Sequence, residues 1–279
     1  MSDRTDADPA GSGDLTAEPG ERGDSEVEET FDKVLADGRE RLDRPFLPLL
    51  STGLLGGVDV GVGVLTYLVV KEQTGSTLLA ALGFTVGFVA PLLANSELFT
   101  ENFLVPVIAV VTREGSVGQL LRLWAVSLGA NLLGGLAMAA MIVEALPSVR
   151  ETAIETGQHY AGLGTTWRAF FLAVLAGAVI TLLTRMQTAT DSIGAKLVAA
   201  VTFSFVLVGT QLFHSVLDSI FLFAGLLTGH APYGWLTWLN ALWLSALGNI
   251  LGGVVLVTSV RLLRVGHRVE EQRAQGPAR

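Results

Sequence analysis

Cysteine is absent from the 279 residues, and charge is scarce at 16% Asp, Glu, Lys and Arg. Soluble chains carry about 25%. Without cysteine there is no disulfide framework, no thiolate metal site, no iron–sulfur cluster and no thiol nucleophile. No phosphate-cradling glycine loop and no nucleophile–base pair appears either, so catalytic residues, cofactors and metal ligands are all expected to be none. What fills the chain instead is apolar: 50% hydrophobic residues and a mean hydropathy of +0.53. A net charge of −8 argues against a nucleic acid partner.

The charge is unevenly placed. Residues 1–32 hold eleven acids and two bases, and the rest of the chain holds sixteen bases and fifteen acids. Residues 1–26 are polar, acidic and without an apolar run, which predicts a disordered tail that works as a solvated extension. They lack the basic start and apolar stretch of a signal peptide. Over 27–45, Val27, Phe31, Val34, Leu35 and Leu42 recur at near-helical spacing among charges. That pattern predicts an amphipathic cytoplasmic helix.

Residues 46–265 read as one membrane domain, with 266–279 as a cytoplasmic C-terminal tail. A bilayer core of roughly 30 Å takes about 20 apolar residues in a helix, and 46–70, 120–146, 168–186 and 235–263 satisfy this. Two further segments, 78–112 and 195–228, are too long for one span and too short for two. Each is polar at its middle: Asn95–Asn102 in the first, Gly209–Ser215 with Asp218 in the second. Both are predicted to be helices broken at mid-membrane, where irregular backbone survives only inside protein or along a cavity. The fold class is therefore an all-α integral membrane protein with six transmembrane helices, the second and fifth broken. From Lys33 onward thirteen bases fall on the side that holds both termini and three on the other. Both termini are thus expected in the cytoplasm, with the protein multi-pass in the cell (inner or plasma) membrane.

The two halves repeat. Leu128–Gly135 in the third span echoes Leu247–Gly253 in the sixth, with Asn131 and Asn249 in matching places, and Glu97 aligns with His214. Three spans per half invert the halves relative to each other. An ionisable group inside a span is a functional candidate by default. His214 can meet an anion or hand over a proton, and the Thr100 hydroxyl is its natural partner. Glu97, Glu101 and Asp218 are expected to cap half-helices or serve an interface rather than face a path. Asp59, among glycines of the first span, is read the same way. Asn131 and Asn249 are expected to hydrogen-bond the broken backbones. Phe84, Phe88, Leu98, Phe99 and Leu207 are candidates for apolar constrictions.

Leu98-Phe99-Thr100 after Glu97 in one break, His214-Ser215 followed by Asp218 in the other, and the two Gly/Asn motifs resemble the formate/nitrite transporter family. Leu-Phe-Thr-Glu-Asn resembles in particular its divergent YfdC-like branch. The resemblance spans about residues 40–265. It implies an aquaporin-like fold with an inverted 3+3 repeat and a homopentamer in the lipid bilayer with one path per subunit. It further implies passage of small monovalent anions such as formate or nitrite, often with protons. By that likeness Thr100 and His214 form the central pair, and Glu97, Leu98, Phe99, Glu101 and Asn102 the selectivity loop. Phe84, Phe88 and Leu207 are then constriction residues, and Asn131, Asn249 and Asp218 structural support. The chain departs from the family pattern at Glu101, where a small residue is usual, and at Thr165, where a lysine is usual. A neutral-solute or water pore and a non-transporting oligomeric scaffold or sensor are the competing readings.

Overall fold

The computed structural model describes residues 19–275, a set of helices joined by turns, bends and short irregular segments. Helix α1 spans Pro19–Asp43. It starts eight residues ahead of the expected boundary at 27, so 19–26 are helical rather than part of a disordered tail. Proline is suited to a first helical position, where its missing N–H has no partner to lose. Residues 1–18 lie outside the described residues. The apolar stripe of α1 is real: Phe31, Val34, Leu35 and Leu42 are all buried. They pack with Leu104, Val105, Ile108, Leu120, Leu123, Val265 and Val269 in a core of their own. Gly38 permits the approach, because a Cβ there would stand 2.7 Å from the Val105 carbonyl oxygen.

The apolar segments follow in order: α2 (Phe46–Thr74), α3 (Thr77–Phe84) and α4 (Val86–Ala94), then a 3₁₀ turn (Phe99–Phe103) and α5 (Val105–Val111). Helix α6 (Val117–Ala145) starts with a complete capping box, Ser116 with Gln119. A connecting helix α7 (Arg150–Ala161) leads to α8 (Trp167–Thr188). The second broken segment is α9 (Ile193–Gly209) and α10 (Ser215–Leu227). Then come α11 (Trp235–Ile250), a π-helical stretch (Leu251–Thr258), α12 (Ser259–Arg264) and α13 (Gly266–Gln275). Five stretches among the described residues are long and apolar enough to cross a membrane: Phe46–Thr74, Thr77–Ala94, Val117–Ala145, Trp167–Thr188 and Trp235–Arg264. The remaining crossing is divided between the shorter α9 and α10.

The halves are built on one plan. Helix α2 lies along α6 as α8 lies along α11 and the π segment. Both contacts rest on glycine at the same repeat position. A Cβ on Gly57 would collide with the Asn131 carbonyl oxygen, and a Cβ on Gly177 with that of Asn249. Membrane helices gain little from apolar burial against apolar lipid, so backbone approach of this kind supplies the packing that holds them together. Gly57→Ala and Gly177→Ala should each destabilise the fold by about 1–3 kcal/mol through overpacking. Gly129→Ala, whose Cβ meets nothing within 4 Å, should stay within about 0.5 kcal/mol. Thermal unfolding midpoints of the detergent-solubilised variants check this; equal midpoints for all three would refute it.

Candidate functional site

The first break begins where α4 ends. Asn95 takes a left-handed conformation (φ 55°) as its cap, a state asparagine reaches more readily than most residues. The chain then runs extended through Leu98 (φ −109°, ψ 136°) into the 3₁₀ turn. The second break repeats this. Gln211 is left-handed (φ 53°), and His214 (φ −106°, ψ 127°) is the N-cap of α10.

Each break leaves backbone donors and acceptors that water cannot reach, and one asparagine answers each. The Asn131 Oδ1 accepts from Phe99 N at 2.9 Å. Its Nδ2 donates to the carbonyls of Gly53 (2.7 Å) and Glu97 (2.8 Å). The Asn249 Oδ1 accepts from Ser215 N at 2.9 Å. Its Nδ2 donates to Ala173 O (2.9 Å) and Phe213 O (3.0 Å). The backbone adds a further matched pair, Glu97 N to Thr52 O and Phe213 N to Leu172 O. These bonds set the register of the repeat: Glu97 corresponds to Phe213 and Leu98 to His214. The pairing of Glu97 with His214 expected from spacing is one residue out. Residues between the break and the asparagine differ in number between the halves, so a single offset does not carry through.

The two breaks touch at Thr100 and His214, whose Oγ1 and Nε2 are 3.0 Å apart. Both are buried, at 0% and 1% exposure. The His214 Nδ1 accepts from Leu217 N at 3.1 Å. That nitrogen therefore carries no proton, and in the neutral ring the hydrogen sits on Nε2 and points at Thr100. The Thr100 oxygen accepts it and keeps its own hydrogen for another acceptor. Asp218 completes a reciprocal cap: its Oδ2 accepts from His214 N at 2.7 Å, at the positive end of α10. The Tyr160 hydroxyl lies beside the same carboxyl, a neighbour brought in by α7 that spacing along the chain does not signal.

The surroundings of the pair are apolar. The Phe88 ring meets the His214 imidazole edge-on, centroids 6.3 Å apart, and Phe84 follows at 5.8 Å from Phe88. Leu98, Phe99 and Leu207 are buried as well. Phe99 stacks edge-on with Phe103 (5.0 Å) and Trp124 (6.4 Å).

The loop acids go elsewhere. Glu97 is ion-paired with Arg44 of the α1–α2 junction at 2.5 Å and with Arg41 of α1 at 3.6 Å. Asn102 accepts from Arg41 at 3.1 Å and donates to Leu98 O at 3.2 Å. Arginines counted from sequence only as topology signals thus brace the first break directly. Glu101 lines a cavity of about 450 Å³ together with Asn95, Arg41, Thr184, Lys33 and Lys196. At its rim Lys33 hydrogen-bonds Asp191 at 3.0 Å and holds that carboxyl below the usual carboxylate range. Among the described residues no group of three or more His, Asp or Glu stands ready to hold a metal.

The sequence model described as Formate/nitrite transporter matches residues 28–263. The chain belongs to the formate/nitrite transporter family. Inner membrane protein YfdC of Escherichia coli (strain K12) is 29% identical to it over 239 residues, 80% of this chain and 74% of that protein. This relative bears out the resemblance to the YfdC-like branch. Among solved structures, an "FNT family ion channel" superposes with a TM-score of 0.73 at 19% identity, covering 86% of this chain and 99% of that one. A "pentameric formate channel with formate bound" gives 0.66 at 20% identity, covering 79% and 97%. At these identities the likeness establishes the fold: this formate/nitrite transporter family member is an all-α membrane protein.

Asn249→Ala should leave the Ser215 N–H and the Phe213 carbonyl without a partner and lower stability by about 1–3 kcal/mol or more. Asn131→Ala should cost the same order, since its three bonds are the same. Unfolding midpoints in detergent report both. A large effect at one asparagine and none at the other would contradict the equivalence of the two cradles.

Proposed function

We propose that this member of the family passes small monovalent anions of weak acids, formate or nitrite among them, along a path between the two breaks. Thr100 and His214 stand at its centre. The observation that carries the reading is the 3.0 Å bond between them, which joins one break from each half in a buried, apolar setting. The family's description supports the substrate class, as does the formate-bound neighbour.

The chemistry follows from the hydrogens. With Nε2–H directed at Thr100, the threonine hydroxyl donates outward to a carboxylate or nitrite oxygen. Phe84, Phe88, Leu98, Phe99 and Leu207 form apolar constrictions around this point and exclude water. A bare anion is costly to desolvate in such surroundings. The solute therefore crosses as its conjugate acid, taking its proton near His214, and this makes the flux proton-linked. Glu97 and Asn102, braced by Arg41 and Arg44, hold the selectivity loop in shape. Asp218 and the two asparagines support the broken backbone. The cavity lined by Glu101, Arg41 and Lys196 is the cytoplasmic mouth, in keeping with thirteen bases against three and with both termini in the cytoplasm. The assembly is a homopentamer in the lipid bilayer with one path per subunit, and the protein is not an enzyme.

A neutral-solute pore is the second reading, favoured by the Glu101 carboxyl at the mouth. Proteoliposomes separate the two. Uptake of formate and nitrite should rise as external pH falls from 8 to 5, while glycerol-driven swelling stays at the protein-free level. Thr100→Val removes the donor and should lower weak-acid flux about tenfold to a hundredfold. His214→Phe should lower it similarly and flatten the pH dependence. Weak-acid flux at the wild-type level in both variants would remove the pair from the path.

A further inference from the structure

Two acids of the broken segments have a structural task. Glu97 is paired with Arg44 and Arg41, and Asp218 caps α10. The third, Glu101, makes no side-chain hydrogen bond and no ion pair among the described residues. It is half-buried and lines the cavity of about 450 Å³ between the first break, α1 and α8. Its chain neighbour is Thr100, whose hydroxyl meets His214. Of the Phe99–Phe103 turn only Glu101 lines this cavity. The turn thus has Thr100 at the central pair and Glu101 in the cavity, and a solute that passes from one to the other enters the cavity beside this carboxyl.

The charges around Glu101 are largely matched without it. On α1, Arg41 is held by Glu97 and Asn102, and Lys33 by Asp191. Asp37 of α1 and Lys196 of α9 are the remaining charged lining residues, one of each sign. Helices α4 and α8 bring only neutral side chains to the lining, Leu92 and Thr184 among them. Arg41 and Glu97 are the charged groups that act on Glu101, and α5, α6, α11 and the π segment, which also pack on the turn, add none. A carboxylate bonded to arginine, as Glu97 is, stays charged. One without a partner, at the edge of a polar cavity, is free to take up and release a proton.

We propose that Glu101 exchanges the proton of the permeating weak acid at the cytoplasmic mouth. As the conjugate acid leaves the central pair its O–H bond breaks, and the hydrogen forms a new O–H bond on the Glu101 carboxylate. The anion remains in the cavity, where Lys196 and Arg41 offset its charge. Glu101 then gives the proton to cavity water and is a carboxylate again. Entry from the cytoplasm runs the same steps in reverse, with Glu101 supplying the proton. A small residue, usual at this position in the family, has no group for the step. The inference rests on the weak-acid reading above and adds to it the residue that handles the proton on one side.

The experiment uses the full chain in right-side-out membrane vesicles, whose lumen takes the place of the cytoplasm. Initial influx of labelled formate is measured at fixed external pH, with the luminal pH set between about 5 and about 8. At the alkaline end Glu101→Gln should be slower than wild type by about tenfold or more, and Glu101→Asp should restore most of the rate. As luminal pH falls, the wild-type carboxylate fills with protons and loses its advantage. The ratio of wild-type to Glu101→Gln rate should therefore fall toward one. The unfolding midpoint of Glu101→Gln should match wild type, since no bond is lost; Glu101→Ser takes its place if it does not fold. Equal rates for Glu101→Gln and wild type at every luminal pH overturn the inference and leave the weak-acid reading intact. So does a faster Glu101→Gln, which would make the carboxylate a charge barrier only. A slowing that Glu101→Asp shares and luminal pH does not change overturns it as well. Wild-type influx at the level of protein-free membranes overturns both the inference and the reading beneath it.

Discussion

The constraint on which this structure depends is the backbone at mid-membrane. Breaking a helix there strands N–H and C=O groups in a medium that offers them nothing. Two asparagine carboxamides, each with one acceptor and two donor bonds, convert two forbidden breaks into rigid corners. A carboxamide is suited to this because it carries acceptor and donors in one plane and no charge to desolvate. Glycine serves the same end: Gly57 and Gly177 bring α2 and α8 against the asparagine backbones, close enough for the short side chains to span the gap. The packing of four long helices and the position of the central pair both follow from satisfying a few main-chain groups.

The first break is supported a second time, from outside the bundle. Helix α1 spreads an apolar stripe over α5 and α6 and directs Arg41 at Glu97, where Arg44 of the α1–α2 junction joins it. An ion pair this close to the membrane interior is sustained by its geometry and by the hydrogen bonds around it, not by Coulomb attraction alone. Here Arg41 also reaches Asn102, and Asn102 returns a bond to Leu98 O. Among the described residues the second break has no such brace. It uses the local cap of His214 and Asp218 instead. One end of the central pair is therefore tied to α1, and the other only to its own helix.

How much of this was legible beforehand follows the range of the signal. Runs of apolar residues disclosed the spans, and polar residues at their centres disclosed the breaks, because both are local composition effects. The glycines around Asn131 and Asn249 marked the repeat. Its register did not follow from one offset, since the halves differ in length between break and asparagine. The bracing of Glu97 by Arg44 was illegible for another reason: partners 53 residues apart have no spacing rule, and arginines before a span are equally explained by topology. The π-helical stretch after Asn249 and the approach of Tyr160 to Asp218 likewise depend on tertiary placement. The early start of α1 escaped because its acidic composition matches that of a disordered tail.

The repeat also explains where to look for function. Positions that agree between the halves, Asn131 with Asn249 and Gly57 with Gly177, do the same structural work twice and can carry no direction or chemistry. Positions that disagree can. At the N-cap following each break the first half has Leu98 and the second His214. Four residues on, the first has the neutral Asn102 and the second the acidic Asp218. Two residues past Leu98 the first half has the Thr100 hydroxyl where the second has Val216. A fully symmetric version of this chain would keep both corners and lose the hydroxyl–imidazole contact. The fold is written in what the halves share, and the site in the few residues by which they differ.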